Sequence, residues 1–158
     1  MSRELILLRH AHAENGKPGE DDAQRALSER GVIEAKDAGR WLATHPKPTR
    51  ILCSPSRRAR ETLEYALGKT AATMEPRIYE ATAGELVSLI DERLAEAGAQ
   101  PERLMLVGHN PGFETLVALL VTGQSGDFRG IPPAGIAWIE LDGTVEPGAG
   151  KLKAFWAP

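Results

Sequence analysis

Three short apolar runs in this chain each end on residues suited to an anion. Residues 5–8 lead into Arg9 and His10; residues 51–53 into Ser54, Pro55, Ser56, Arg57 and Arg58; and residues 104–107 into Gly108, His109, Asn110 and Pro111. Ligands of open α/β sheets bind beyond the carboxyl ends of the strands, so three such runs in one sheet bring these arginines and histidines to the same edge. Two of the run ends pass straight into predicted helix N-termini, where unpaired N–H groups and the positive end of the macrodipole favour negative charge. Arginine forks match phosphate oxygens two at a time. A phosphate is the simplest ligand that satisfies the set, and histidine chemistry on a phosphoryl group is the reaction it suggests. A neutral imidazole attacks phosphorus through one nitrogen while the other donates to a backbone carbonyl, which fixes the tautomer. The arginines and the second histidine then stabilise the equatorial oxygens as charge spreads over them.

The elements that must position these groups are legible from periodicity. Residues 4–8, 50–53 and 103–107 read as strands, and the first and third are apolar enough to be covered on both faces. Residues 135–141 and 151–156 are later strand candidates joined by a Gly/Pro-rich hairpin loop at 143–150. Leu27 and Val32 flank Ser28 at the spacing of a hydrophobic staple, which starts a helix running to about Thr44. Ser54 and Pro55 are read as the cap and first-turn proline of a second helix with an apolar face of Ala59, Leu63, Ala66 and Leu67 and a stop at Gly68. Leu86, Leu89, Ile90, Leu94 and Ala97 form a third helix ending at Gly98, and Asn110 and Pro111 open a fourth that stops at Gly123. The order β-α-β-α-(β)-α-β-α-β-β predicts a three-layer α/β/α sandwich with a mainly parallel sheet and an antiparallel edge.

Composition narrows the function classes. The 158 residues suit one domain, with no internal repeat or linker to divide them. A net charge of −3 argues against an extended basic face for nucleic acid. No apolar run approaches the roughly 20 residues that span a bilayer, and no leader is evident, so membrane attachment and export are not expected. The single cysteine, Cys53, is compatible with a reducing cytosol and is read as a buried structural thiol. Walker, Rossmann and C-x-x-C signatures are absent.

At this point the residues resemble a known family. Leu7-Leu8-Arg9-His10-Ala11 resembles the signature of the histidine phosphatase superfamily, the phosphoglycerate mutase-like enzymes. Ser54-Pro55-Ser56-Arg57-Arg58-Ala59-Arg60-Glu61-Thr62 resembles its S-x-x-x-R-A-x-x-T segment, and Gly108-His109-Asn110 its second-histidine segment. The resemblance implies one histidine phosphatase domain over residues 1–158, in which His10 becomes phosphorylated while Arg9, Arg58 and His109 hold the transferring group. No cofactor is implied. The short length, Arg25-Ala26-Leu27-Ser28-Glu29-Arg30-Gly31 and Gly108-His109-Asn110-Pro111-Gly112 are most similar to SixA-type phosphohistidine phosphatases. For that subgroup the expected partner is a phosphorylated histidine phosphotransfer domain.

Two departures bear on mechanism. Ala11 stands where the family has Gly, and a methyl group excludes backbone angles that only Gly tolerates easily. Glu80-Ala81-Thr82-Ala83-Gly84 matches the E-x-x-x-G spacing of the mutase branch, whose glutamate is a proton donor; Glu80 is either that acid or an exposed loop carboxylate. An alkoxide leaving group needs such an acid, whereas phosphohistidine leaves as neutral imidazole. Arg25 either binds substrate phosphate or pairs with Glu20, Asp21 or Asp22. Asn110 is a substrate-contact candidate, although a helix N-cap explains it sufficiently. His12 makes an H-x-H pair with His10, a metal-binding pattern without further ligands at a convincing spacing, and is read as a residue at the site mouth. Arg57 and His45 are assigned to the surface and to a helix end, and the three tryptophans to packing. The expected activity is a cytoplasmic, metal-independent phosphatase. Its rivals are a small-molecule phosphomonoesterase of the same superfamily and a non-catalytic phosphoprotein-binding module.

Overall fold

Alternation along the strands decides the layering. In the computed structural model, which describes residues 3–124, 126 and 130–158, the elements follow in the order β1 (Arg3–Arg9), α1 (Glu29–Leu42), β2 (Arg50–Cys53), α2 (Arg57–Leu67), β3 (Thr73–Met74), α3 (Ala83–Ala97), β4 (Glu102–Gly108), α4 (Gly112–Thr122), β5 (Ile136–Leu141) and β6 (Gly150–Trp156). Short 3-10 turns lie at Asp22–Gln24 and Pro76–Ile78. Successive strand side chains point to opposite faces. Leu5, Leu7, Leu104, Leu106 and Ile139 therefore pack with Leu86, Ile90, Phe113 and Leu116 of α3 and α4. Ile6, Leu8, Met105, Val107 and Trp138 pack with Ala35, Ala38, Ala59 and Leu63 of α1 and α2. The fold is the expected three-layer α/β/α sandwich, with a core on each face of one sheet.

The sheet order is β3-β2-β4-β1-β5-β6. β3, β2, β4 and β1 run parallel, and β5 and β6 add the antiparallel edge. Only β3, two residues long, lies outside the strands whose ranges were read from apolar runs. Among the described residues no helix is long and apolar enough to cross a membrane.

Most helix ends follow local sequence chemistry. Ser28 caps α1 by accepting from the Gly31 N–H, and Gly98 and Gly123 end α3 and α4 at positive φ. Thr82 and Glu85 form a capping box at the start of α3. Two expected caps are corrected. The second helix is capped by Ser56 rather than Ser54, because the Ser54 N–H still donates to Val107 O and so continues the strand. The fourth helix has Pro111 at its cap with no side-chain cap bond, and the Asn110 amide instead donates to Ile131 O. The tryptophans, although scattered in sequence, meet in space. The Trp41 ring centroid lies 6.1 Å from those of both Trp138 and Trp156, with His45 stacked 3.8 Å from Trp41 at the end of α1. Cys53 is fully buried, and that burial pushes its thiol pKa up to about 12.

The start of α1 is pressed against the chain that leaves β1. A Cβ built on Gly31 would stand 2.0 Å from the carbonyl oxygen of His12, so backbone would have to move. Gly84 has nothing nearer than 4.0 Å. Gly31→Ala is expected to cost about 1–3 kcal/mol, seen as a fall of several degrees in melting temperature. Gly84→Ala should leave the melting temperature unchanged or slightly raised. Equal melting temperatures for the two variants would refute the close approach.

Candidate active site

Register builds the centre of the site. Arg9 stands opposite Gly108 in the parallel β1–β4 pair, and the His10 N–H extends that ladder by donating to Gly108 O at 2.9 Å. His10 and His109 therefore leave neighbouring strands side by side, their ring centroids 5.2 Å apart. His10 Nδ1 lies 2.8 Å from the carbonyl oxygen of Ala11. A carbonyl only accepts, so Nδ1 carries the proton and Nε2 keeps its lone pair. Burial, reinforced by the cations of Arg58, Arg9 and Arg25 and opposed by the Ala11 carbonyl, pushes the His10 pKa down to about 4. Glu80 and Ala134 are the non-glycine residues with positive φ among those described. Ala11 thus uses backbone angles open to any L residue.

Arg58, near the start of α2, is 6% exposed. Its Nη1 donates to the backbone oxygen of Asp22 at 2.8 Å and its Nη2 to Asp22 Oδ2 at 3.0 Å. Thr62, one turn further on, donates to Arg58 O and accepts from the Ala11 N–H. That hydroxyl ties the turn carrying Arg58 to the loop carrying His10. Arg9 donates through Nη1 to Ile131 O at 2.7 Å, the same carbonyl that holds Asn110.

His109 has its Nε2 2.8 Å from Ser54 Oγ, with Ser56 beyond. Burial, then repulsion from His10 and Arg58, lowers its pKa to about 3, so the ring is neutral at ordinary pH. A Ser54 hydroxyl turned toward Nε2 donates to it and leaves the ring proton on Nδ1, whereas one turned toward Ser56 Oγ, 3.3 Å away, accepts from Nε2–H instead. Tyr79 meets the His109 ring edge-on at 5.5 Å.

These groups share one cleft of about 730 Å³, which Arg9, His10, Arg25, Arg58, Glu80, His109 and Asn110 line together with His12. Every residue singled out in the sequence as a site candidate faces it. Arg25 also pairs with Asp22, its Nε 2.9 Å from Oδ1, so its two alternatives coexist in geometry. Glu80 is exposed and holds a φ of 56°. His12 is at the mouth, its Nδ1 2.7 Å from Ser28 Oγ. Arg57 lies at the surface, paired with Glu61. Among the described residues no three His, Cys, Asp or Glu side chains are gathered in a way that could hold a metal ion.

Four buried side-chain atoms of the described residues lack a hydrogen-bond partner: Arg9 Nε, Arg58 Nε, His109 Nδ1 and Asn110 Oδ1. All four belong to residues lining this cleft. Asn110 Oδ1 is an acceptor, but the other three are nitrogens of the arginines and of the second histidine; buried polar groups are nearly always paired, so unpaired nitrogens gathered on one cleft suit a polyvalent acceptor.

Sequence reasoning did not identify Asp22, Tyr79 or the hydroxyl of Ser54 as parts of the site. Asp22 appeared only as one possible partner of Arg25, Ser54 was assigned to a helix cap, and Tyr79 carried no local signal beyond its place before Glu80.

The family model of the histidine phosphatase superfamily, branch 1, matches residues 5–119. An uncharacterized protein of Mycobacterium tuberculosis is 33% identical, over 93% of this chain and 98% of its own length. A crystal structure from Agrobacterium tumefaciens, provisionally designated phosphohistidine phosphatase SixA, superposes with a TM-score of 0.79 at 30% identity, covering 98% of this chain and 97% of that one. A protein histidine phosphatase SixA complexed with tungstate gives 0.80 at 25% identity, with the same coverage of both chains. Mycobacterial glucosyl-3-phosphoglycerate phosphatase gives 0.76 at 18% identity over the whole of both chains, a likeness of fold. With the family model matching most of the chain and a SixA-designated structure superposing on nearly all of it at 30% identity, this chain belongs to the histidine phosphatase superfamily and is SixA-like within it.

Proposed function

We propose that this single-domain chain is a cytoplasmic, metal-independent phosphatase that removes phosphate from phosphohistidine on a phosphotransfer protein by way of phosphorylated His10. The observation that carries this reading is the set of unpaired nitrogens of Arg9, Arg58 and His109 on the cleft that His10 lines. In the first step the Nε2 lone pair attacks phosphorus, a P–N bond to His10 forms, and the bond to the leaving group breaks with its electron pair. A phosphohistidine protonated on its second ring nitrogen leaves as neutral imidazole and takes no proton from the enzyme. Arg9 and Arg58 then face the oxygens with Nε–H and His109, in the tautomer that accepts from Ser54, with Nδ1–H, and Asn110 lies at the edge of the same group. Water attacks phospho-His10, the P–N bond breaks, and inorganic phosphate departs.

One feature favours the small-ester reading. Glu80 lines the cleft, where a carboxyl group could protonate an alkoxide.

His10→Ala should lower turnover by at least about a thousandfold without unfolding the chain, since His10 stands at a strand end outside both cores. Labelled substrate should leave acid-labile phosphate on His10 of the wild type; a binding module without turnover would leave none. Chelator should not change the rate, and loss of activity restored by a divalent ion would argue for the H-x-H metal site.

The attacking imidazole must be neutral, and burial holds the His10 pKa down to about 4. Corrected for substrate ionisation, kcat/KM should therefore rise with pH through about 4 and be level by the ordinary histidine value near 6.5. An acid limb at 6.5 would contradict the buried, neutral nucleophile.

Phosphate release from a phosphohistidine protein, measured beside a panel of phosphomonoesters, tests the leaving group. Preference for phosphohistidine with little effect of Glu80→Gln supports the proposal. Efficient ester hydrolysis that collapses in Glu80→Gln makes this a phosphomonoesterase with Glu80 as its acid.

A further inference from the structure

Asp22 gathers more of the site than its exposed position in a 3-10 turn suggests. Its Oδ1 accepts from Arg25 Nε at 2.9 Å, and its Oδ2 accepts from Arg58 Nη2 at 3.0 Å and from the Tyr79 hydroxyl at 2.5 Å. Its backbone oxygen takes Arg58 Nη1 at 2.8 Å. Both terminal nitrogens of Arg58 are thus held by one residue, which leaves Nε as the unpaired donor. Arg58 also lies over the Tyr79 ring at 5.9 Å, and Tyr79 in turn abuts His109.

Arg25 and Arg58 line the cleft, whereas Asp22 and Tyr79 do not. The carboxylate therefore grips the two guanidinium groups from behind and does not stand where an anion between them and His10 would sit. A charged hydrogen bond of this kind fixes a long side chain that would otherwise sample several rotamers, and the fork geometry turns the remaining N–H in one direction. Tyr79, reaching Asp22 from a segment 57 residues away, fixes the carboxylate in its turn.

We propose that Asp22 and Tyr79 are positioning residues, an outer pair that aims Arg58 Nε at a phosphoryl group on His10. The proposal rests on the phosphatase reading of the cleft. It has a sign that simple electrostatics does not share. Removing a negative charge beside an anion site tightens anion binding if charge alone matters, whereas loss of aim weakens it.

The test uses the intact chain and inorganic phosphate, with binding followed by the ring NMR signals of His10 and His109. Asp22→Ala should weaken phosphate binding about tenfold and Tyr79→Phe about threefold, the scale of lost hydrogen bonds to charged groups. Melting temperatures should stay within about 2 °C of wild type, since Asp22 is exposed. In an Arg58→Ala background, Asp22→Ala should add less than about twofold, because its effect passes through Arg58. Unchanged or tighter binding in Asp22→Ala, or a full tenfold further loss in the Arg58→Ala background, overturns the positioning role while the cleft stands as a phosphate site. Absence of phosphate binding by wild type at any concentration removes the phosphatase reading itself and this inference with it.

Discussion

Everything chemical in this molecule depends on the register between β1 and β4. A parallel pairing that sets Arg9 against Gly108 puts the next residues, His10 and His109, on the same sheet edge with their rings in contact range. The period of a strand is two, so a slip by one residue would turn one imidazole to the opposite face. Two separate cores guard against that slip. Leu5, Leu7, Leu104 and Leu106 belong to one, and Ile6, Leu8, Met105 and Val107 to the other, so any shift exchanges the side chains of both. β2 completes the edge by pairing with β4, which brings Ser54 up to His109 and starts α2 where Arg58 can reach inward.

The electrostatics follow from this placement. The chain carries a net charge of −3, yet the donors nearest His10 are cationic or neutral N–H groups. Burial lowers the pKa of both kinds of base, with different outcomes at neutral pH. It drives both histidines to the neutral form, whereas a guanidinium, with an intrinsic pKa so far above neutrality, stays charged. One environment therefore yields a nucleophile with a free lone pair and fixed positive charge to receive the phosphoryl oxygens. The cost of keeping charge there is met by hydrogen bonds on the outer side of each arginine, to Ile131 O for Arg9 and to Asp22 for Arg58.

How much of this was legible beforehand divides along physical lines. The first, second and fourth strands were readable because each is a short apolar run ending in polar residues or Pro, and Arg9, His10, Arg58, His109 and Asn110 because they follow those runs; Arg25 and Glu80 were singled out from the family resemblance alone. β3 was marked only as a place in the order, since Thr73 and Met74 are exposed and carry no apolar pattern. Ser54 and Asn110 look like caps in sequence because cap chemistry and site chemistry use the same side chains. Only the positions of Val107 and Ile131 show that their backbone and amide groups are engaged elsewhere. Asp22 and Tyr79 lie in separate segments and meet through the tertiary fold, so no local spacing could join them.

The distribution of charge within the cleft bears on what leaves. The described arginines that line it are Arg9, Arg25 and Arg58, while Ala81, Thr82, Ala83, Gly112, Thr115 and Pro133 give another part of the wall small side chains and no positive charge. Among the described residues that wall offers a second acid group no counter-charge, and the Glu80 carboxylate, which also lines the cleft, would repel one. Binding energy is thus concentrated on the group being transferred, and little of it is directed at a small leaving group. A phosphorylated side chain on a protein needs no such wall, because recognition can be spread over the surface around the mouth. Under the phosphohistidine proposal that is the expected asymmetry, because the leaving imidazole is neutral and borne by a protein.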